Sequence, residues 1–379
     1  MNYPLISEYV EAIRFAADNF KTLTHLSPVL DSGGRPVMSS GNFAVVFKMR
    51  DERDGSLHAV KCFTREVAGR AESYRLIADE LQYVSSSYLA SVCYLDDELF
   101  VDSKGNADSE FPVLLMDWVE GQPLDAYLRQ CGADTYRLGM LAWEFSRLGE
   151  WLLSQPFAHG DLKPDNILVR PDGTLVLVDY DGMYDPAMQG QTAREEGSPD
   201  FRHPLRTAAT FNEHIDDFAV ISILLSLRAI AHNPALLDRY GAADRLLLSA
   251  ADYRDPSQSA FLRQEFPTGA HDLDSLYGLF LVALAHANLA HVSPRLLRIS
   301  RPEKPSFIPA VISTEVTDED IKNGVRDEYG AIYSPDGTRL LKMENRTIER
   351  YEVKPGCKVI CDKAFLGCDN LSIVRFPPA

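Results

Sequence analysis

The run His159-Gly160-Asp161-Leu162-Lys163-Pro164-Asp165-Asn166-Ile167-Leu168-Val169 constrains this chain more than any other segment. It places a carboxylate, an ammonium and a carboxamide on one short loop that leads into an apolar strand. Thirteen residues after Asn166, the run Leu177-Val178-Asp179-Tyr180-Asp181-Gly182 ends an apolar strand on a second carboxylate. Asp172-Gly173 supplies the hairpin turn between the two segments. Phosphoryl transfer needs a carboxylate to take the proton of an acceptor hydroxyl, and oxygen ligands to hold magnesium against the phosphates. An Asp and an Asn five residues apart on one loop can serve those two roles.

The whole string resembles the catalytic and metal-binding loops of protein kinases. That resemblance implies Asp161 as catalytic base, Lys163 as a phosphate contact, and Asn166 and Asp179 as ligands of Mg2+. Lys163-Pro164 is similar to the serine/threonine branch. Gly160 stands where many protein kinases carry the Arg that reads an activation-loop phosphate, which implies activity without waiting for that phosphate. The His-Gly-Asp form also occurs in aminoglycoside-phosphotransferase relatives. Upstream, Ser39-Ser40-Gly41-Asn42-Phe43-Ala44-Val45-Val46 resembles the glycine-rich phosphate loop, with Gly41 the one family glycine retained. Ala59-Val60-Lys61 resembles the strand lysine that grips the phosphates of ATP. Val46 and Ala59 then line the adenine slot, and Met116, Asp117 and Val119 fall in the hinge whose backbone binds adenine. The family pairs that lysine with a helix glutamate. Here the expected position is Ile77, with Glu72 and Glu80 as the alternatives to either side. Gly197-Ser198-Pro199-Asp200-Phe201-Arg202-His203-Pro204 resembles the end of an activation segment, and Asp216 the aspartate that anchors the catalytic loop.

The texture around these motifs is consistent with an α+β, bilobal kinase-like fold. Leu5 to Phe20 reads as an amphipathic helix, with Leu5, Tyr9, Val10, Ile13, Ala16, Ala17 and Phe20 on one stripe. Val45–Met49 and Leu57–Phe63 flank the turn-forming Asp51–Gly55, a hairpin pattern. A charged helix is expected over 68–84, then strands at Val92–Leu95 and Val113–Met116. Leu138–Leu153 shows helical spacing, and Ile215–Ile230 is apolar nearly all round, so it reads as a buried central helix. The expected divisions are 1–27 for a helix packing on the kinase, 28–119 for the small lobe, 120–292 for the large lobe, 293–325 for a linker and 326–379 for a β-rich module.

In that last segment, Ala364-Phe365-Leu366-Gly367-Cys368 and the spaced Leu371, Val374 and Phe376 resemble leucine-rich repeats of the bacterial surface-antigen type. Tyr333–Leu341 resembles the irregular unit that precedes such repeats. This implies a protein partner at the repeats, with a stabilising cap as the plainer alternative. Cys361 and Cys368 then face a core. The six cysteines lack paired knuckles and nearby histidines, so metal binding is not expected of them, and Cys62, Cys93 and Cys131 read as buried small hydrophobes.

With Lys+Arg 38 against Asp+Glu 55, the net charge is −17. That excludes the basic footprint of a nucleic-acid or anionic-membrane binder. The sequence shows neither a signal peptide pattern nor an 18-residue apolar run, which makes the cytoplasm the expected location. The expectation is therefore an ATP- and Mg2+-dependent serine/threonine-type protein kinase acting on a protein substrate. A nucleotide-binding pseudokinase scaffold and a small-molecule phosphotransferase are the alternatives.

Overall fold

The structure is a computed structural model that describes residues 3–41, 43–103, 109–243, 245–304 and 313–376. It divides into two compact units, 1–304 and 305–379.

The first unit opens with α1 (Ile6–Arg14) and α2 (Ala16–Asn19). The expected single helix is interrupted at Phe15, which is exposed, while the Asn19 side chain turns back to donate to the carbonyl of Ala12 at 2.9 Å. Tyr9, Ile13, Ala16 and Phe20 are buried as the stripe predicts, and Ala12 is buried beside them. Val10 is half-buried, whereas Leu5, which precedes the first helix, and Ala17, beyond the break, are exposed. The sheet that follows is built from β1 (Leu26–Pro28), β2 (Met38–Ser40), β3 (Ala44–Asp51), β4 (Leu57–Phe63), β5 (Val92–Phe100) and β6 (Glu110–Asp117). Its order is β1-β3-β4-β6-β5, with β2 also on β3, and its paired strands run antiparallel.

Alternation along these strands sorts side chains onto two faces. Val45, Phe47, Met49, Val60, Cys62 and Val113 form one core with α1, pinned by a hydrogen bond from Tyr9 Oη to the Phe63 carbonyl at 2.7 Å. Ala44, Val46, Ala59, Lys61 and Met116 point the other way, towards the rest of the unit. The pairing puts Val46 opposite Lys61 and Ala59 opposite Met116. Cys62 and Cys131 are buried, but Cys93 is exposed, since it lies on β5 at the edge of the sheet. Helix α3 (Arg70–Leu81) packs on the same inner face through Tyr74 and Ile77.

The chain then crosses at 118–121 into β7 (Gln122–Pro123), α4 (Leu124–Cys131) and α5 (Thr135–Leu152). The last of these is N-capped by Asp134, which accepts from Arg137 N–H at 3.0 Å. β8 (Ile167–Val169) and β9 (Leu175–Leu177) form a hairpin beside β7. Helix α6 (Asp217–His232) is buried on nearly every side, as a run that is apolar nearly all round predicts, and packs between α5 and α10 (His271–His286); the short α7 (Ala235–Tyr240), α8 (Ala250–Arg254) and α9 (Ala260–Glu265) intervene in sequence. Residues 87–90, which follow α3, are fastened to this helical half. Leu177 N–H donates to the Tyr88 carbonyl at 2.8 Å, and Ala90 N–H donates to Tyr180 Oη at 2.9 Å. Arg298 returns to Glu150 of α5 at 2.6 Å, so residues just past 293 belong to this unit.

The second unit begins its described part at residue 313. It holds α11 (Asp318–Asn323), β10 (Val325–Arg326), β11 (Ala331–Tyr333), β12 (Arg339–Met343), β13 (Arg350–Glu352), β14 (Val359–Ile360) and β15 (Ile373–Arg375). The helix is capped by Thr317 and Asp320, and β10 pairs with β11, so part of the stretch expected as linker is folded into the module. Two pairings are parallel: Arg339 lies opposite Val359, and Arg350 opposite Ile373, offsets of 20 and 23 residues. The unit has its own core of Ala331, Tyr333, Leu340, Met343, Tyr351, Val353, Ala364 and Cys368, with Cys361 buried beside Ile332 and Leu341. Residues 377–379 of the expected β-rich tail lie outside the described residues. Among those described, no helix is long and apolar enough to cross a membrane.

Candidate active site

The loop 159–166 is held from beneath. Asp216, buried at the head of α6, accepts from the backbone N–H groups of His159 and Gly160, the second at 2.9 Å. His159 is buried too, and its Nε2 lies 3.0 Å from the Val178 carbonyl, which joins this loop to the strand end carrying Asp179. Gly160 has φ +83, and a Cβ there would stand 1.9 Å from the Gly182 carbonyl oxygen. The two loops therefore touch backbone to backbone, and only glycine fits. This explains the His-Gly-Asp variant sterically: an arginine at 160 has no room. A different arginine reaches the spot, since Arg206 donates from Nη1 to the Gly160 carbonyl at 2.8 Å.

Four groups surround the Asp161 carboxylate. Oδ2 faces Lys163 Nζ at 2.8 Å and Asn166 Nδ2 at 3.3 Å, and Oδ1 accepts from Ser198 N–H at 2.8 Å and Ser198 Oγ at 3.0 Å. Burial pushes this carboxyl up, but the Lys163 ammonium and the Ser198 N–H outweigh it, so its pKa lies below the ordinary aspartate value and the group is an ionised acceptor at neutral pH. Asn166 also donates from Nδ2 to the Asp161 carbonyl at 2.9 Å. With its amide nitrogen spent this way, its carbonyl oxygen is a hard oxygen donor of the kind a divalent cation takes.

Asp179 has φ 68, an uncommon left-handed conformation for a residue other than glycine. It lies at the head of the short turn Tyr180–Gly182 and pairs with Lys61 Nζ at 2.7 Å. Lys61 is buried and holds a second carboxylate, Asp181 Oδ2, at 2.9 Å. Burial alone would lower the Lys61 pKa; the two carboxylates reverse this and raise it. Desolvation of the partly exposed Asp179 would raise its pKa, but Lys61 outweighs it and keeps the carboxyl below the ordinary aspartate value. Neither Glu72 nor Glu80 is the partner: Glu72 is exposed and Glu80 half-buried, and Ile77 is packed in the core. Instead Tyr74 of α3 donates from Oη to Asp181 Oδ1.

The other expected residues fall on the inner face of the sheet or at its exit. Val46 and Met116 are half-buried, Ala59 buried, Asp117 exposed and Val119 half-buried. Gly41 is exposed between β2 and β3, a Cβ there would meet open space, and its N–H donates to the Ala44 carbonyl at 2.9 Å; Asn42 of that loop lies outside the described residues. At the exit, Lys48 bridges to Glu120 at 2.5 Å and lies over the Trp118 ring. Sequence reasoning missed Asp181, Tyr74, Ser198 and Arg206. For Asp181 a signal existed: an apolar residue in the acid's helix position calls for a carboxylate from elsewhere, and a spare one stands two residues after Asp179.

Residues 36–233, just over half of the chain, match the family model described as Protein kinase domain. The chain belongs to the protein kinase family. The kinase domain is 25% identical over 146 residues to serine/threonine-protein kinase PknA of Mycobacterium tuberculosis, covering 38% of this chain and 33% of that protein. It is 26% identical over 150 residues to serine/threonine-protein kinase OXI1 of Arabidopsis thaliana, covering 38% and 35%. It is also 26% identical over 148 residues to the cAMP-dependent protein kinase catalytic subunit PRKX of Homo sapiens, covering 38% and 41%. The match spans between a third and about two fifths of the length of these relatives.

Proposed function

We propose that the chain is a serine/threonine-type protein kinase that transfers the γ-phosphoryl group of ATP to a protein hydroxyl. The observation that carries this reading is the ionised Asp161, held between Lys163, Asn166 and Ser198 and joined through His159 to the Asp179 strand end. In the reaction the acceptor oxygen bonds to the γ-phosphorus, the bond from that phosphorus to the β,γ-bridging oxygen breaks, and the acceptor proton passes to the Asp161 carboxylate. Lys163 offers its ammonium to the transferring group, and Lys61 its own to the remaining phosphates. Magnesium supplies charge neutralisation on the phosphates when bound, and the carbonyl of Asn166 and the carboxylate of Asp179 are oxygen donors of the kind it takes.

The parallel offsets of 20 and 23 residues in the second unit support a leucine-rich-repeat reading, because such repeats stack parallel strands at about 20–29 residues. The role proposed for that unit is binding of a protein partner.

The test is transfer from γ-labelled ATP to a generic basic protein, with Asp161→Ala and Asp179→Ala alongside. Asp161→Ala is expected to abolish transfer and keep nucleotide binding, since its carboxylate serves the acceptor. Asp179→Ala is expected to weaken MgATP binding itself. Wild-type turnover in both variants overturns the assignment, and tight MgATP binding without transfer by the wild type points to a pseudokinase scaffold.

A further inference from the structure

The phosphate-gripping lysine of this fold needs a carboxylate to hold it, and helix α3 offers none at the place where one is expected. Ile77 fills that place and is buried in the core. Lys61 nonetheless has two carboxylates, and they differ. The Asp179 side chain is 44% exposed, whereas that of Asp181 is 14% exposed. Asp179 is the acid proposed for the metal, and a carboxylate that takes up a divalent cation cannot also neutralise a lysine fully. Asp181 remains. It is held from the far side by Tyr74 Oη, and Tyr74 is itself held by packing: its ring stacks on Tyr94 of β5 at 6.3 Å and packs on Phe63 of β4 at 6.1 Å between ring centroids.

The geometry points to Asp181 as the positioning residue for Lys61, with the Tyr74 hydroxyl of α3 setting Asp181, so that the helix is linked to the lysine through an acid carried on the metal-binding loop. This rests on the nucleotide-binding part of the reading above. The arrangement has a consequence for control. Any movement of α3 that withdraws Tyr74 frees Asp181, and with it Lys61, without a charged residue on the helix. Conversely the turn Tyr180–Gly182 must be formed before Lys61 is aligned, because the acid belongs to that turn.

The experiment is equilibrium binding of MgATP and of magnesium-free ATP to the full chain, for the wild type and for Asp181→Asn, Tyr74→Phe, Lys61→Ala and the double variant Lys61→Ala/Asp181→Asn. Steady-state KM and kcat are measured wherever transfer is seen. Loss of one charge-assisted contact predicts that Asp181→Asn weakens ATP binding about tenfold to a hundredfold, with and without magnesium. Tyr74→Phe keeps the ring packing and is expected to weaken binding about threefold to tenfold. KM rises more than kcat falls in both. In the Lys61→Ala background, Asp181→Asn is expected to change nothing further, since its effect passes through the lysine. An Asp181→Asn defect that persists without Lys61 and appears only with magnesium overturns the proposal in favour of a metal ligand. Wild-type affinity in Asp181→Asn or Tyr74→Phe overturns it as well. Failure of the wild type to bind ATP at all refutes the underlying kinase reading instead, and binding without transfer leaves the positioning role measurable.

Discussion

Replacing Gly160 by alanine tests the close contact between the catalytic and metal-binding loops. Two costs combine. The backbone at φ +83 is left-handed, which costs an L-residue about 1–2 kcal/mol. The new Cβ would also stand 1.9 Å from the Gly182 carbonyl oxygen, whereas real Cβ contacts essentially never fall below 3.0 Å, so the two loops must part by more than an ångström. Gly182 closes the turn that begins after Asp179 and contains Asp181. A shift of that size between Asp161 and the two acids is expected to lower turnover about a hundredfold. Overpacking of this kind adds about 1–3 kcal/mol, for a total destabilisation of about 2–5 kcal/mol. Gly190 is the internal control, because it also has φ +83 yet a Cβ there meets nothing within 4 Å. Gly190→Ala is expected to show the backbone cost alone, about 1–2 kcal/mol, with turnover intact. Urea unfolding and label transfer on both variants decide the matter. A Gly160→Ala protein that matches Gly190→Ala in stability and the wild type in turnover would falsify the steric account of the His-Gly-Asp motif.

Two further outcomes concern the acids at the head of α6. Asp216→Ala leaves the N–H groups of His159 and Gly160 buried without their acceptor, at about 1–3 kcal/mol each, so urea denaturation should show a loss of about 2–6 kcal/mol together with slower transfer. Burial pushes the neighbouring Asp217 carboxyl up to about 6 from 3.8. A raised pKa means that its contribution to stability is full below about pH 4 and is lost as pH rises through about 6, a loss of about 3 kcal/mol. Asp217→Asn, whose side-chain oxygen can still accept from Leu289 N–H, should therefore unfold at a higher temperature than the wild type at pH 8. The gap should close towards pH 4, and a constant gap across that range would sink the idea.

What the sequence disclosed and what it withheld divide along a physical line. Asp161, Asn166 and the Asp179 strand end lie within about twenty residues of one another, on a loop and hairpin whose turn chemistry is local, so their proximity could be read from spacing alone. The helix α6 announced its burial by an apolar run without a polar face, and α1 its packing stripe by periodicity. The Lys61–Asp181 pair spans 120 positions and Tyr74–Asp181 spans 107, so no local pattern places them together. Arg206 gave no sign of reaching Gly160, because an arginine in a loop looks alike whether it is solvated or buried. The break at Phe15 was equally silent: it depends on the Asn19 side chain reaching back to Ala12, a choice that helix propensity does not set.

The fastening of residues 87–90 to the helical half has a mechanical consequence. The sheet is joined to that half covalently at 118–121 and again through Tyr88 and Ala90, which bond to Leu177 and Tyr180. The two joins lie side by side: Val92, just past Ala90, pairs with Met116, and Leu89 and Ala90 line one cavity with Asp117, Trp118, Val119 and Glu120. They act together as one broad strap, which resists twisting more than a single strand of chain would. Tyr180 stands next to Asp179, so the strap is stitched down beside the acid that pairs with Lys61.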